Sequence, residues 1–579
     1  MTADDGTRSH RFSRGRWRLL FVFALALAVR IAYLIHIREN ASFQIIALDS
    51  ELFDQKALEI LSGDVWGHEI FYSAPLYPYF LAMIYALFGP TFLAVRIVQV
   101  VLGSLTAVLV VRLGEEMFDE PVPLIAGLIT ALYGPFIFFN ATLLGTTLAA
   151  FLATWSVLMF AVSRDSRRRD VWILLAGVSV GFTSLARPNT VIVLPLWILC
   201  LALLHRRERW IRSSLILLVG GGLVIAPVTV RNAVVGRDFV PISSHGGINF
   251  WIGNHPHALG TFDLPPGIRG TPEQVNLIDS SRLANQAAGR SLSPSEVSAY
   301  WFRRGLEYIR DNPGEYAGLL GRKVHMFWNR VEIPLNVNFH FLQRSSPLLR
   351  IPLMHFGLIS PLAILGMGLS VRRWRRAAPA ASFVLVYFLS AVVFFVSGRY
   401  RIPATPILIV FASYAGAWIY RRVRERKWKP ALVTSVALIP LVILAYVPVA
   451  DFDVERSFGR DFYYLAAESQ SEGRIQTALE YYQKSIEHNP EFWMSYNGRG
   501  VCLADMGQLA EAVASFETAI RLAPTRAEPW TNLGIALATH GRVAEAVSKW
   551  ERALELDPYD ESAKTNLAKA RAMLDRSDQ

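Results

Sequence analysis

Two cysteines in 579 residues leave little room for sulfur chemistry. Cys200 lies in an apolar run and Cys502 in a soluble helical repeat, so a pairing between them is not expected. The absence of a CxxC pair or a Cys/His cluster argues against a zinc site. Charge is also scarce: 18% of residues are charged against 53% hydrophobic, the composition of a membrane protein averaged with something soluble. There is no Walker A loop and no dinucleotide fingerprint behind a strand, which argues against a nucleotide-driven machine and leaves no soluble nucleotide-sugar domain. The formal charge is +11. The basic residues, however, sit in short clusters between apolar runs, where they report orientation in a membrane, and no nucleic-acid partner is expected.

What is present is a series of apolar runs. The first, 19–35, follows a polar, basic tail (1–16) and is too long for the core of a cleaved signal peptide, so it is expected to be a retained span. Arg30 lies inside it, a hint of function or of snorkelling. Further runs at 92–113, 121–139, 142–163, 171–187, 189–205, 211–229, 347–370, 379–397, 402–420 and 430–449 bring the expectation to about eleven spans by length. The basic loops 164–170, 205–210, 372–376 and 421–429 fall on the side of the basic N-terminus, which the positive-inside rule makes cytoplasmic. The outer loops 38–91 and 230–346, and everything after 450, then face outward. In a bacterial inner membrane that side is the periplasm.

The stretch after the first span, ALDSELFDQKALEILSGDVWGHEIFYSAPLYPYFLAMIYALFGP, carries Asp49, Glu51 and Asp54. Residues 52–61 put Phe53, Ala57, Ile60 and Leu61 on one side of a helix, and 75–89 read as a helix lying in the interface. A carboxylate here suits a general base acting beside a lipid-linked substrate. Asp49 is the leading candidate, and most of its acidic neighbours read as solvated loop residues. Arginines close or open spans on the same face: Arg187 in LARPN, Arg231 in TVRN, and Arg399 and Arg401 around Tyr400 in SGRYRIP. A guanidinium matches phosphate oxygens in a fork, although an interfacial anchor reads the same way. In HGGINFWIGNHPHALG, His245, Asn249, Trp251 and Asn254 suit contact with a sugar, while His245, His255 and His257 are spaced like no standard metal site.

From 458 to 579 the hydrophobicity falls and a period of 34 appears: Gly473, Gly507 and Gly541; Ala478, Ala512 and Ala546; Pro490, Pro524 and Pro558; with Tyr482, Phe516 and Trp550 in step. Small residues let paired helices approach, aromatics fill the gap and proline ends each second helix. This is the tetratricopeptide pattern, a solenoid expected to bind a protein or peptide, with 559–575 as a capping helix.

Over 15–450 the chain resembles the bacterial members of the GT-C glycosyltransferases, in particular glycosyltransferase family 39, the dolichyl-phosphate-mannose protein mannosyltransferase-like enzymes. The resemblance is carried by LDSELFDQKALEILSGD, APLYPYFLAMIYALFG, AVRIVQVVLGSLTAVLV, LARPN, PVTVRNAVVG with GINFWIGN, and GRYRIP. It implies an inverting transferase that uses a polyprenyl-phosphate sugar as donor, with Asp49 as the base and Arg399 and Arg401 at the lipid phosphate. Many relatives carry an acid after the third span, in a stretch like LLSEP. This chain has ATLLGTTLAA with Gly145 there, so a second acidic role passes to Glu51 or Asp54, or is absent. The resemblance calls for no firm cofactor and leaves a divalent metal open. The expected architecture is therefore all-α: a 17–450 membrane glycosyltransferase domain followed by the repeats. Two rivals stand beside it, an O-antigen ligase- or polymerase-like transferase indifferent to Asp49, and a non-catalytic membrane scaffold that presents the repeats.

Overall fold

The computed structural model describes residues 5–40, 48–204, 207–262, 265, 268, 278–351, 355–450 and 452–577. The described residues are predominantly helical and divide into two compact units that meet in sequence at Phe452 and Asp453. The first is a polytopic helical membrane unit and the second a tetratricopeptide solenoid.

In the membrane unit, helix Phe92–Met117 packs against Asp5–Ile37, Val122–Leu132 and Thr146–Ser163. Thr146–Ser163 packs in turn on Arg169–Ala186, and that on Arg207–Gly236. The last crossing depends on glycine. A Cβ on Gly177 would come within 2.3 Å of the Leu217 carbonyl oxygen, and one on Gly220 within 2.5 Å of the Leu174 carbonyl oxygen. In lipid, where water supplies no drive between helices, such backbone approach is what holds a pair together.

Among the described residues, seven helices are long and apolar enough to cross a membrane, or eight if the bent pair Val122–Leu132 and Gly134–Ala141 is one span. Four causes separate this from the expected eleven. The run 121–139 breaks with a 51° bend. The run 189–205 opens with the 3-10 turn Pro188–Ile192, leaving only Val193–Leu204 as α-helix. Two expected runs merge in Phe356–Val393, whose 38 residues are counted once; at 1.5 Å per residue it would measure ~57 Å, about twice the hydrocarbon thickness. Thr405–Arg424 carries Arg421, Arg422 and Arg424 in its last turn, which dilutes its hydropathy.

The bend at 133 explains Arg30. Its guanidinium, fully buried, donates to the Ala131 carbonyl at 2.8 Å, the Thr130 carbonyl at 3.3 Å and Asn140 Oδ1 at 2.6 Å. The carbonyls are those a helix end leaves without partners, so the arginine caps a broken span, and its role here is structural.

In the second unit, helices alternate from Val454–Ser471 to Glu561–Ser577. The 34-residue pattern has a direct packing cause. A Cβ on Gly500 would meet the Phe516 ring at 2.7 Å, and one on Gly534 would meet Trp550 at 2.6 Å. Phe516 and Trp550 share one core with Ala512, Ala546 and Ala553. The period glycines Gly473, Gly507 and Gly541 have φ of 75°, 76° and 82°, the left-handed conformation that turns one helix into the next.

Candidate active site

Asp49 is the first residue of helix Asp49–Leu61, where the free N–H groups of the helix end favour a carboxylate. Helix Leu76–Phe88 covers one side of it. Ala57, Tyr77, Leu81 and Tyr85 form one core, with Phe53 and Ile60 packed against it, while Leu61 is 40% exposed. The Tyr85 hydroxyl donates to Asp54, and the Tyr77 hydroxyl donates to Gln99 of helix Phe92–Met117 at 2.9 Å. The carboxylate is thus fixed to the membrane helices through a packed hairpin.

Two arginines reach it from distant segments. Arg399 lies in the turn Gly398–Arg401, whose Gly398 N–H donates to the Ile333 carbonyl at 2.8 Å. A Cβ on Gly398 would come within 2.6 Å of Glu332 Oε2, so glycine is what lets this turn sit flush on the 330–337 segment. From there Arg399 Nη2 pairs with Asp49 Oδ2 at 2.8 Å, and Arg399 Nη1 donates to Asn336 Oδ1. Asn336 also hydrogen-bonds Asp49 and holds a φ of 67°, a conformation asparagine tolerates better than most side chains. Arg187 directly follows helix Arg169–Ala186 and lies 4.9 Å from the Tyr400 ring centroid; Arg399 lies 5.3 Å from the same ring. Arg187 Nη2 is 3.5 Å from Thr146 Oγ1.

Histidine and tyrosine complete the cluster. His245 Nδ1 lies 2.6 Å from the Tyr72 carbonyl oxygen. A carbonyl only accepts, so Nδ1 carries the proton and Nε2 is left as an acceptor. Burial lowers the His245 pKa, against the Tyr72 carbonyl and the Asp49 charge, so the ring is neutral near pH 7. Burial and the Asp49 charge push the Tyr72 hydroxyl well above its ordinary range, which keeps it a donor. Burial also pushes the Asp49 carboxyl up, but Arg399, Asn336 and Arg187 together outweigh it and hold the group below the usual carboxylate range. The Asp49 side chain still keeps 36% of its surface accessible, whereas that of Arg399 keeps 7%.

Three buried donor groups around this carboxylate have no hydrogen-bond partner among the described residues: Arg187 Nε, Arg399 Nε and the Tyr72 hydroxyl. Two guanidinium charges face one carboxylate, leaving one positive charge unbalanced. Unmet donors and a surplus positive charge in a poorly solvated place are the requirements of an anion site.

The other expected site residues go elsewhere. Arg401, two residues from Arg399, points into the protein. It pairs with Glu332 at 2.7 Å, donates to the carbonyls of Phe327, Asn329 and Val331, and lies 4.0 Å from the Phe356 ring centroid. Arg231 donates to the backbone carbonyls of Trp66 and Glu69 and lies 4.0 Å from the Phe71 ring, holding the segment that leads to Tyr72. Asn254 is fully buried and accepts from Lys323 Nζ at 3.0 Å while donating to the Phe250 and Val393 carbonyls. Trp251 is buried against Trp301 and His255, with Arg304 5.1 Å from its ring; its indole N–H has no partner among the described residues. Asn249 is half-buried in helix Gly246–Gly253. Glu51 is exposed and accepts from Gln55 at 3.3 Å. At Gly145 a Cβ would stand 3.2 Å from the Tyr77 Cβ, so a side chain there would need Tyr77, which anchors the hairpin, to give by a few tenths of an ångström. Among the described residues, no group of three His, Cys, Asp or Glu side chains is placed to hold a metal ion.

Sequence reasoning missed Tyr72, Asn336 and Thr146. Tyr72 and Asn336 are single polar residues in loops, without periodicity. Thr146, beside the flagged Gly145, carried a signal only in its position.

Residues 72–231 match the family model described as dolichyl-phosphate-mannose-protein mannosyltransferase, and residues 470–527 and 503–561 match the tetratricopeptide repeat model. The first match contains Tyr72, Arg187 and Arg231; Asp49, His245 and Arg399 lie outside it. No curated protein matches the chain. Among solved structures, the first tetratricopeptide domain of human RPAP3 is 20% identical, with 21% of this chain and 97% of that one covered and a TM-score of 0.21. The Arabidopsis OM64 tetratricopeptide domain is 17% identical, with 21% and 98% covered and a TM-score of 0.20. The oligosaccharyltransferase AglB from Archaeoglobus fulgidus, in complex with an inhibitory peptide and a dolichol-phosphate, is 15% identical, with 78% of this chain and 59% of that one covered and a TM-score of 0.37.

Proposed function

From a multi-pass membrane chain that carries a segment of the protein-mannosyltransferase glycosyltransferase family ahead of tetratricopeptide repeats, we infer a transferase that moves a sugar from a polyprenyl-phosphate carrier to an envelope acceptor on the periplasmic face of a bacterial inner membrane. The observation that carries this reading is the set of unpartnered buried donors on Arg187, Arg399 and Tyr72 around Asp49. A phosphate supplies the acceptors they lack. With one surplus positive charge to balance, the site suits a single phosphate better than a pyrophosphate.

In the proposed reaction an acceptor hydroxyl oxygen attacks the anomeric carbon as the bond from that carbon to the phosphate oxygen breaks. The bonding electrons leave with the phosphate, and the hydroxyl proton passes to the Asp49 carboxylate. The products are a glycoside and the polyprenyl phosphate. Without donor, Asp49 is committed to Arg399 and is a weak base. A donor phosphate drawing Arg399 towards itself frees the carboxylate, so donor binding would precede activation of the acceptor. The repeats would recruit a protein acceptor or an assembly partner.

The test is transfer of label from radiolabelled undecaprenyl-phosphate sugars in membranes, wild type against Asp49→Asn, followed into lipid, glycan and protein fractions. A general base is worth about 10²- to 10⁴-fold, so the variant is expected to lose at least 100-fold. Transfer at the wild-type rate in Asp49→Asn would remove Asp49 as the base and favour the ligase-like alternative.

A further inference from the structure

Beside the anion site lies a cavity of about 280 Å³ that shares Tyr72 with it. Its wall also includes Ser244, Ser280, Ser281, Ser298 and Trp301. Ser244 directly precedes His245, and its N–H donates to the Phe71 carbonyl at 3.1 Å, so the wall and the site are built on the same pair of segments. Ser298 Oγ accepts from the Gly247 N–H at 2.9 Å, which leaves its own proton free to donate. The Trp301 indole N–H is taken by the Ser280 carbonyl at 3.1 Å, which fixes the ring against the cavity. Among the described residues no lysine or arginine lines it, and Glu69 adds a carboxylate to the wall.

These properties select a ligand. The volume sits just below the usual span of small-molecule sites, about 300–1,000 Å³, and so suits one ring-sized unit rather than an extended chain. Hydroxyls that both donate and accept, set beside a fixed aromatic ring, match a polyol with an apolar face. The Glu69 carboxylate, with no lysine or arginine among the described lining residues, disfavours an anion, so the phosphate belongs next door, on Arg187 and Arg399. Resting on the transferase reading above, we propose that this cavity is the acceptor subsite, that it takes one neutral sugar residue of a glycan, and that Tyr72, which lines the cavity and belongs to the Asp49 cluster, marks the end at which the attacking hydroxyl meets Asp49.

The test uses the full-length protein in nanodiscs with Ser281→Cys. The two natural cysteines are buried, so a small methanethiosulfonate reagent reports on position 281. Labelling rates are measured alone, with methyl glycosides of glucose, mannose, galactose and N-acetylglucosamine at 50 mM, and with a serine-containing tripeptide at the same concentration. At least one glycoside is expected to slow labelling threefold or more, and the tripeptide to leave it unchanged. A cysteine that does not label without ligand, or that labels at the same rate with every glycoside, overturns the proposal. Protection by the tripeptide alone replaces the sugar with a protein acceptor and overturns it too. The donor reading is measured separately, as the rise in melting temperature with undecaprenyl phosphate in wild type against Arg399→Met. Failure of that rise with glycoside protection intact sinks the donor assignment and leaves the sugar-binding cavity standing.

Discussion

Replacing Arg399 with methionine removes the charge while keeping much of the side-chain length, and it acts on two groups at once. The first is the donor phosphate, which loses a charge-assisted hydrogen bond from a nearly buried guanidinium. Such bonds contribute about 1.5–3 kcal/mol, so the donor should bind about 10- to 150-fold more weakly. The second is Asp49. Burial pushes its carboxyl up, and Arg399 is first among the groups that hold it down. Without Arg399 the carboxyl rises, and less of it is ionised at a given pH. Since the base is the ionised form, the acid limb of the pH profile of kcat/KM should move to higher pH. The linked effect on stability has a definite sign. In wild type the depressed Asp49 contributes stability above its ordinary carboxylate pKa and loses it as pH falls through the folded value. The variant should lack that contribution and melt with a flatter acid dependence. Arg399→Lys separates the two effects: it keeps a charge beside Asp49 and should restore most of the acid limb, but it lacks the planar fork and should not restore donor affinity. The assay is label transfer from an undecaprenyl-phosphate sugar between pH 3 and 8, with melting curves over the same range. A donor KM within twofold of wild type together with an unmoved acid limb would refute the reasoning.

The neighbouring ion pair predicts the opposite pattern. Glu332→Gln should lower stability by about 3 kcal/mol, and Arg401→Met by more, towards about 5 kcal/mol, because it strands a buried carboxylate while Arg401 without Glu332 keeps three carbonyl acceptors; thermal unfolding checks the order. Lys323 is fully buried and its pKa is pulled down to about 7 by desolvation. The unfolded chain therefore binds more protons than the folded one from about pH 7 up to the ordinary lysine value, and the melting temperature of the membrane unit should rise with pH across that window; Lys323→Met should abolish the slope. Trp550→Ala should destabilise the repeats by about 3–5 kcal/mol, seen as faster amide exchange in Glu528–Thr539 and Val543–Leu556, with the exchange of the membrane helices unchanged.

The parts of this protein that were legible in its sequence are those where one residue type recurs at a fixed interval. The repeats announce themselves because Gly500 facing Phe516 and Gly534 facing Trp550 solve the same packing problem 34 residues apart. Apolar runs became helices for the same reason, but where a run breaks depends on a partner elsewhere: nothing local in 121–139 says that Arg30, a hundred residues earlier, will accept the bend. At the site, Asp49, Arg187, His245, Arg399 and Tyr400 converge from four segments. Arg401 parts from them because residues two apart on a turn face different ways, and Glu332, which receives it, carries no motif. Asn336 and Tyr72 were invisible because a single polar loop residue looks the same whether it serves a site or water.

Arg30 also bears on how the protein is made. The first span enters the bilayer before the chain that will satisfy it exists, since Thr130, Ala131 and Asn140 emerge 100 to 110 residues later. Until then the guanidinium must be carried at a cost of about 2.5–3.5 kcal/mol on the insertion scale, offset by the leucines, valines and phenylalanines around it. The charge makes the early intermediate wait, unstable on its own, for the right later helix. Only a chain whose bent helix has arrived beside the first one has that arginine answered, and a quality-control protease that senses exposed charge in lipid would find nothing left to read.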